Sequence, residues 1–137
     1  SYLLTGTTNT LTAPAPAIEL AAKYTGKPNM SAFGNPSPTD ATLTFDPATM
    51  KAHLTVNAMG ATLVDQEVTY TLEGNEVTLV DLTHYPNEID PYTTAKVNLV
   101  FTIDDDGNLS SAQTIGGAAM GMQFPVDFSS DTMKPVQ

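Results

Sequence analysis

From residue 43 onward, apolar side chains recur at every second position, in one segment after another. Leu43 and Phe45 alternate with Thr42 and Thr44. Met50, Ala52, Leu54, Val56 and Ala58 alternate with Lys51, His53, Thr55 and Asn57. Val68, Tyr70 and Leu72 form a third stripe, Val77 and Leu79 a fourth, and Val97, Leu99, Phe101 and Ile103 a fifth. Met120, Met122, Phe124, Val126 and Phe128 form the last, opposite Gly121, Gln123, Pro125 and Asp127. Successive side chains of an extended chain point to opposite faces, so a period of two puts every apolar residue of a segment on one face. Turn chemistry separates the stripes: "DPAT" at 46–49, "EGNE" at 73–76 and "DDDGN" at 104–108. The pattern predicts an all-β chain, an antiparallel meander of about seven to nine strands. One-sided stripes need a facing layer, which a closed barrel or a β-sandwich supplies. A barrel is the expectation here, with the sandwich as its alternative.

Some stretches depart from this rhythm. Residues 1–16, "SYLLTGTTNTLTAPAP", are rich in Thr and end in two prolines, which reads as an extended arm or linker. Residues 17–137 then form a single barrel-like domain. "AIELAAKYTG" at 17–26 alternates as a strand does, through Ile18, Leu20, Ala22 and Tyr24, while its Ala, Glu, Leu and Lys also suit a short helix. "FGNPSPTD" at 33–40 reads as a loop from its glycine and prolines, and 81–95 as one long irregular loop. "GGAA" at 116–119 predicts a bend or a close backbone approach where the last pair of strands begins. Pro125 predicts an edge or seam, since it cannot donate to a ladder. An echo links "LTFDPATMKAHLTVNAMG" with "VFTIDDDGNLSSAQTIGGAAMG": strand, acidic turn, strand, then Ala-Met-Gly.

Charge excludes several partners. Five basic residues, all Lys, face fifteen acidic ones, for a formal net charge of −10 over 137 residues. A phosphate backbone needs cations to neutralise it, so nucleic acid is not an expected partner, and neither is an anionic lipid surface. There is no Cys, hence no disulfide, thiolate or cysteine zinc site. No apolar run approaches the length of a transmembrane helix. Many Thr, few Lys and no Cys suit an exported protein, periplasmic, cell-surface or extracellular, and Ser1 points to a processed or trimmed form.

Catalytic candidates are few. His53 stands on the polar phase of its segment and is expected to face solvent. "HYPNEIDPY" at 84–92 gathers His84, Glu88 and Asp90 as candidate metal ligands, although their spacing fits no ligand motif and a solvated loop explains it as well. "DDDGN" lacks the alternating acids and later Glu of a calcium loop, and a hairpin turn needs no more than Asp-Gly-Asn. Nothing requires a cofactor. Paired carboxylates for sugar hydrolysis lack the usual Trp platforms, since Trp is absent. The remaining candidates are apolar: Met50, Met120, Met122, Phe124 and Tyr70, either ordinary core or the lining of a pocket for a small apolar ligand.

The series "KYTGKPNMS", "ATLTFDPATMKAHLTVNAMG", "VTYTLEGNEVTLVDL" and "GMQFPVDFSS" resembles, over roughly residues 18 to 130, the small lipocalin-like (calycin-like) domains exported by Bacteroides-type bacteria. That resemblance implies an eight-stranded barrel-like fold, a secreted or surface-anchored setting and no established catalysis. The long Thr/Pro arm departs from the family's pattern. The lipidated Cys of a lipoprotein is also missing, as a trimmed form would have it. The functional expectation is a non-enzymatic exported barrel that binds a small apolar ligand. The alternative is a subunit of an extracellular filament or adhesive surface, assembling by strand addition through residues 1–16.

Overall fold

In the computed structural model, residues 19–136 are described; the arm at 1–16 lies outside them. The chain is all-β and antiparallel. Among the described residues twelve strands follow in order: β1 Lys23–Gly26, β2 Asn29–Ala32, β3 Asn35–Pro38, β4 Asp40–Asp46, β5 Lys51–Ala58, β6 Ala61–Glu73, β7 Glu76–His84, β8 Ala95–Ile103, β9 Leu109–Ser110, β10 Thr114–Ala119, β11 Met122–Asp127 and β12 Lys134–Pro135. They form an eight-stranded sheet, β12-β1-β4-β5-β6-β7-β8-β9, nearly closed into a barrel, and a small sheet, β10-β11-β2-β3.

The registers show how the two sheets join. Partners on β1 and β4, such as Tyr24 and Leu43, have numbers that add to 67, and so do partners on β2 and β3, such as Met30 and Ser37. One unbroken register therefore runs through both pairs. Thr39 N–H donates to Pro28 O between them, and the Lys27 ammonium meets Asp40. On the far side of this ribbon, β11 pairs with β2 and β12 with β1. The 3-10 turn Phe128–Ser130 absorbs the three-residue offset between those two registers. Leu109 and Met133 exchange two backbone hydrogen bonds, which carries β9 alongside the chain leading into β12. β10 continues that contact along β11. The chain is thus eight up-and-down limbs: β1–β2, β3–β4, β5, β6, β7, β8, β9–β10 and β11–β12. Each lies antiparallel to the next, and the last returns to the first.

An eight-stranded barrel is about wide enough for side chains to fill, and here they do. Tyr24, Leu43, Leu54, Val56, Val77, Leu79, Leu99, Phe101, Ile115, Val126 and Phe128 are all buried. Phe101 and Phe128 meet edge to face, with ring centres 5.6 Å apart. The alternation read from the sequence is the inward phase of these limbs, as in β4 and β5, where Ala41, Leu43, Phe45, Ala52, Leu54 and Val56 point inward.

Three sequence expectations are corrected. Residues 35–38 form a strand, not a loop, because the ribbon's register continues past Pro38 to the turn at Phe33–Gly34. The loop expected over 81–95 shrinks to 85–94: β7 runs on to His84 through a bulge at Asp81 (φ 54°), which lets Leu79 and Leu82 both face inward. Within 17–26, the strand covers only Lys23–Gly26 of the described residues.

Gly116 and Gly117 fulfil the close approach read in "GGAA". A Cβ on Gly116 would lie 1.8 Å from Tyr85 O, and one on Gly117 2.9 Å from Leu63. The strand passes between two neighbours that leave no room for a side chain. Pro125 marks a seam as expected, since the β11–β2 ladder holds Val126 and Asp127 and stops short of it.

Candidate functional site

Up-and-down topology sorts the connections. The turns after the first, third, fifth and seventh limbs (33–34, 59–60, 85–94 and 120–121) open on one end of the barrel. The turns 47–50, 74–75 and 104–108 open on the other, beside the segment Glu19–Ala22. Asp46, Glu73, Glu76, Asp104, Asp105 and Asp106 flank or form the second set, so that end is acidic.

At the acidic end a hollow of about 320 Å³ is lined by Leu20, Ala21, Phe45, Pro47, Met50, Tyr70 and Leu72, with Glu19 and Ala22 at its margin. Its floor is aromatic. Phe45 lies edge-on to Tyr24 at 5.8 Å and to Tyr70 at 4.9 Å. The Tyr24 hydroxyl accepts the Ala21 N–H at 2.7 Å, which ties the rim carrying Leu20 to the floor. Met50 sits in the left-handed region (φ 56°) at the end of the "DPAT" turn, and its carbonyl accepts the Tyr70 N–H. Asp46 shapes that turn by accepting from Ala48 N–H and the Thr49 hydroxyl. Met50 and Leu72 are partly exposed at the lip, while Phe45 and Tyr70 are buried beneath. Burial, and then the nearby Asp46 carboxylate, raise the Tyr70 phenol above its ordinary pKa, so it stays a neutral hydroxyl.

The predicted pocket residues therefore separate. Met50 and Tyr70 come together in this hollow. Phe124 is buried in the core. Met120 and Met122 do not point inward: Met120 occupies the two-residue turn with Gly121, and Met122 closes that turn opposite Ala119. The stripe's phase is right from Phe124 onward, but its first two members lie beyond the end of the barrel. Leu20, Phe45 and Leu72 complete the hollow. Phe45 and Leu72 belong to visible stripes, yet nothing local shows that the two stripes meet.

The constellation at 84–92 also divides. His84, Tyr85, Pro86 and Glu88 line a cleft of about 360 Å³ against Ser31, Thr114, Gly116, Gln123 and Pro125. The Gly116 N–H donates to His84 Nδ1 at 3.2 Å, so the neutral ring carries its proton on Nε2. Burial lowers the His84 pKa. Gln123 Nε2 donates to Tyr85 O, while its Oε1 is buried without a partner. Asp90 turns away to brace its own loop, accepting the N–H groups of Tyr92 and Thr93. A hydrogen bond from the Thr93 side chain, followed by those amides, lowers its pKa. Among the described residues no three His, Asp or Glu side chains gather as metal ligands, so His84, Glu88 and Asp90 do not form the centre that their proximity in sequence suggested. His53 is half-exposed beside Asp65.

Two further glutamines act as clips that sequence reading passed over. Gln66 grips the backbone of Thr83 through both ends of its amide. Gln113 spans β8 by donating to Asn98 O and accepting from Val100 N–H. Each joins strands where the regular ladder has stopped.

The open outer edge of the ribbon is Asn35–Pro38, which extends past the end of β5 and carries Pro36 and Pro38. Two missing N–H groups make it a poor acceptor for strand addition. Among the described residues no helix is long and apolar enough to cross a membrane. Comparison with protein-family models, with curated proteins and with solved structures gives no match for this chain.

Proposed function

We propose that this protein is a non-enzymatic binding domain acting in an exported setting, and that it takes a small apolar or amphipathic molecule at the mouth of the barrel. The observation that carries this reading is the hollow at the acidic end: an aromatic floor of Phe45 and Tyr70 under a lip of Met50, Leu72 and Leu20. The site sits at the mouth because the interior is filled by its own side chains. Met50 suits such a lip, since an unbranched thioether adapts to varied shapes. The neutral Tyr70 hydroxyl can pair with a polar group at one end of the ligand. The Thr-rich, Lys-poor, Cys-free composition supports the exported setting.

Titration of the full chain with a neutral fluorescent naphthylamine tests this. Saturable binding at one site per chain is expected. Leu72→Glu or Met50→Asp should weaken it about tenfold, because each puts a carboxylate where apolar surface is covered. Absence of saturable binding, or binding unchanged in both variants, overturns the proposal. Native mass spectrometry of freshly purified protein provides the second readout: an apolar molecule that stays bound to the wild-type chain and is lost from Leu72→Glu.

A further inference from the structure

The opposite end of the barrel carries a different chemistry. Phe33 is 80% exposed, Met59 68%, Ile89 90%, Tyr92 80% and Met120 74%. All five stand on the turns that open on that end. Three of them share one device. Ala32-Phe33-Gly34-Asn35, Ala58-Met59-Gly60-Ala61 and Ala119-Met120-Gly121-Met122 are two-residue hairpin turns with positive φ at both central residues: 54° and 82°, 50° and 77°, 54° and 71°. Such turns favour Asn, Asp or Gly at the first central position, because a larger side chain is strained in the left-handed region. Here that position holds Phe or Met three times. It neither relaxes the turn nor enters the core, and Ala and Gly on either side leave the side chain standing clear. The repeated Ala-Met-Gly echo in the sequence is this device.

The tips are arranged as a group. β2 runs antiparallel to β11, so the turn after β2 and the turn before β11 project the same way, with Ala32 falling level with Phe124 by that register. The Tyr92 hydroxyl lies 3.8 Å from where a Cβ on Gly121 would be. Met59 is set back. By the β4–β5 register it falls level with Pro38, five residues, or roughly 16 Å of strand, short of Phe33.

We infer that Phe33, Met120, Tyr92 and Ile89 insert into the interfacial layer of a lipid surface with neutral or zwitterionic headgroups. Two observations select that partner over a second copy or another protein. The first is shape: none of these tips lines the mouth hollow, the cleft at His84 or the hollows along β8–β9 and β1–β4. A protein partner must offer a complementary pocket to each separate anchor, and a second copy would bring one aromatic-floored recess, the mouth hollow, to four tips. A fluid interface accommodates isolated apolar tips without one, and Tyr is at home at that depth. The second is charge. The charged side chains of the 85–94 loop are Glu88 and Asp90, and the six acidic residues of the other turn set lie at the far end. With a net charge of −10 and no Arg, anionic headgroups would repel the chain.

Flotation of the full chain with phosphatidylcholine vesicles tests this. The wild type should float with the vesicles, about equally at low and high salt, and replacing about 30% of the lipid by phosphatidylglycerol should weaken the association at low salt. Phe33→Asn combined with Met120→Asn should reduce partitioning about tenfold or more, whereas Met59→Asn should change it less than twofold. Asn suits the first position of these turns, so the double variant folds at least as well as the wild type, and unfolding curves check this. No flotation of the wild type at millimolar lipid overturns the inference. So does flotation that the double variant leaves intact. Self-association that the same variant abolishes, without flotation, assigns the surface to a second copy and also overturns it. The naphthylamine titration in the double variant keeps this end separate from the mouth: binding there should be unchanged.

Discussion

The two ends of this barrel are built from the same strands and differ in how their turns are stabilised. At the acidic end two of the three turns are held by their own side chains, and one of these also carries Met50 in left-handed backbone. Asp46 accepts from the Ala48 N–H and the Thr49 hydroxyl, and Asp104 accepts the N–H groups of Asp106 and Asn108. At the apolar end the two-residue turns carry Phe33, Met59 and Met120 in left-handed backbone, where those residues are strained. The longer loop there is braced within itself by Asp90 and Asn87, and is tied to the barrel by contacts from far along the chain: Tyr85 to Gly116 and to Gln123. One end is stable by local chemistry. The other gives up local stability to present apolar side chains, and is anchored from outside.

Breaking the anchor should have the largest effect. Gly116→Ala would place its Cβ 1.8 Å from Tyr85 O. Because the obstacle is backbone, the loop must move as a unit and lose the Gln123 and His84 hydrogen bonds with it. A loss of about 3 kcal/mol is expected in urea unfolding. Hydrogen exchange should rise first at 85–94, before the acidic end is affected. A loss below about 1 kcal/mol would mean that the loop gives way easily and that the contact is not an anchor.

The contrast between the ends also explains what could be read from the sequence. The stripes through Leu43–Phe45, Ala52–Ala58 and Leu99–Ile103 were legible because those limbs keep strict alternation and face one interior. The acidic turns were legible because Asp, Pro, Gly and Asn announce turns by their own chemistry. Met120 was misread because it sits in left-handed backbone that its residue type does not advertise, and the bulge at Asp81 because one left-handed Asp looks like part of a loop. The ribbon at 35–38 was hidden by prolines that look like loop and lie at an outer edge. The mouth hollow was half legible. Met50 and Tyr70 were visible as apolar residues, but their meeting depends on pairing between β5 and β6, which no local pattern states.

A smaller loss is expected at the acidic end. Asp104→Ala removes an acceptor for two backbone N–H groups, each at 2.9 Å. These groups can turn to water, so the cost is about 1 kcal/mol. Asp105→Asn, at a side chain with no hydrogen bond of its own among the described contacts, should change stability by less than about 0.5 kcal/mol. If the two substitutions cost the same, the turn owes its shape to the backbone alone, and the difference between the ends disappears.

The apolar turns should respond in the opposite direction. Met120→Asn and Phe33→Asn each relieve left-handed strain, and each is expected to add about 0.5 to 1 kcal/mol of stability. The two hairpins are separate, so the gains should add within a few tenths of a kcal/mol. A loss in both would show that Phe33 and Met120 contribute to packing despite their exposure.

The smallest effect is that of pH at His84. Its ring is partly buried, and burial lowers its pKa from the ordinary 6.5. Its Nδ1 accepts the Gly116 N–H, so a proton arriving there removes that bond as well. The unfolded chain therefore binds this proton more readily than the folded one. Stability is complete above about pH 6.5 and declines as pH falls below it, because protonation then favours the unfolded state. The ring is only half-buried, so solvent limits the size of this effect. The pH dependence should thus be shallow, and it should appear at the apolar end, where the anchor is. His84→Gln should lower stability at neutral pH and flatten the curve between pH 7 and 5. The half-exposed His53, beside Asp65, provides the comparison. His53→Gln should leave the decline attributable to His84 in place, and a decline that vanished in His53→Gln instead would move the pH-sensitive contact away from the Gly116 anchor.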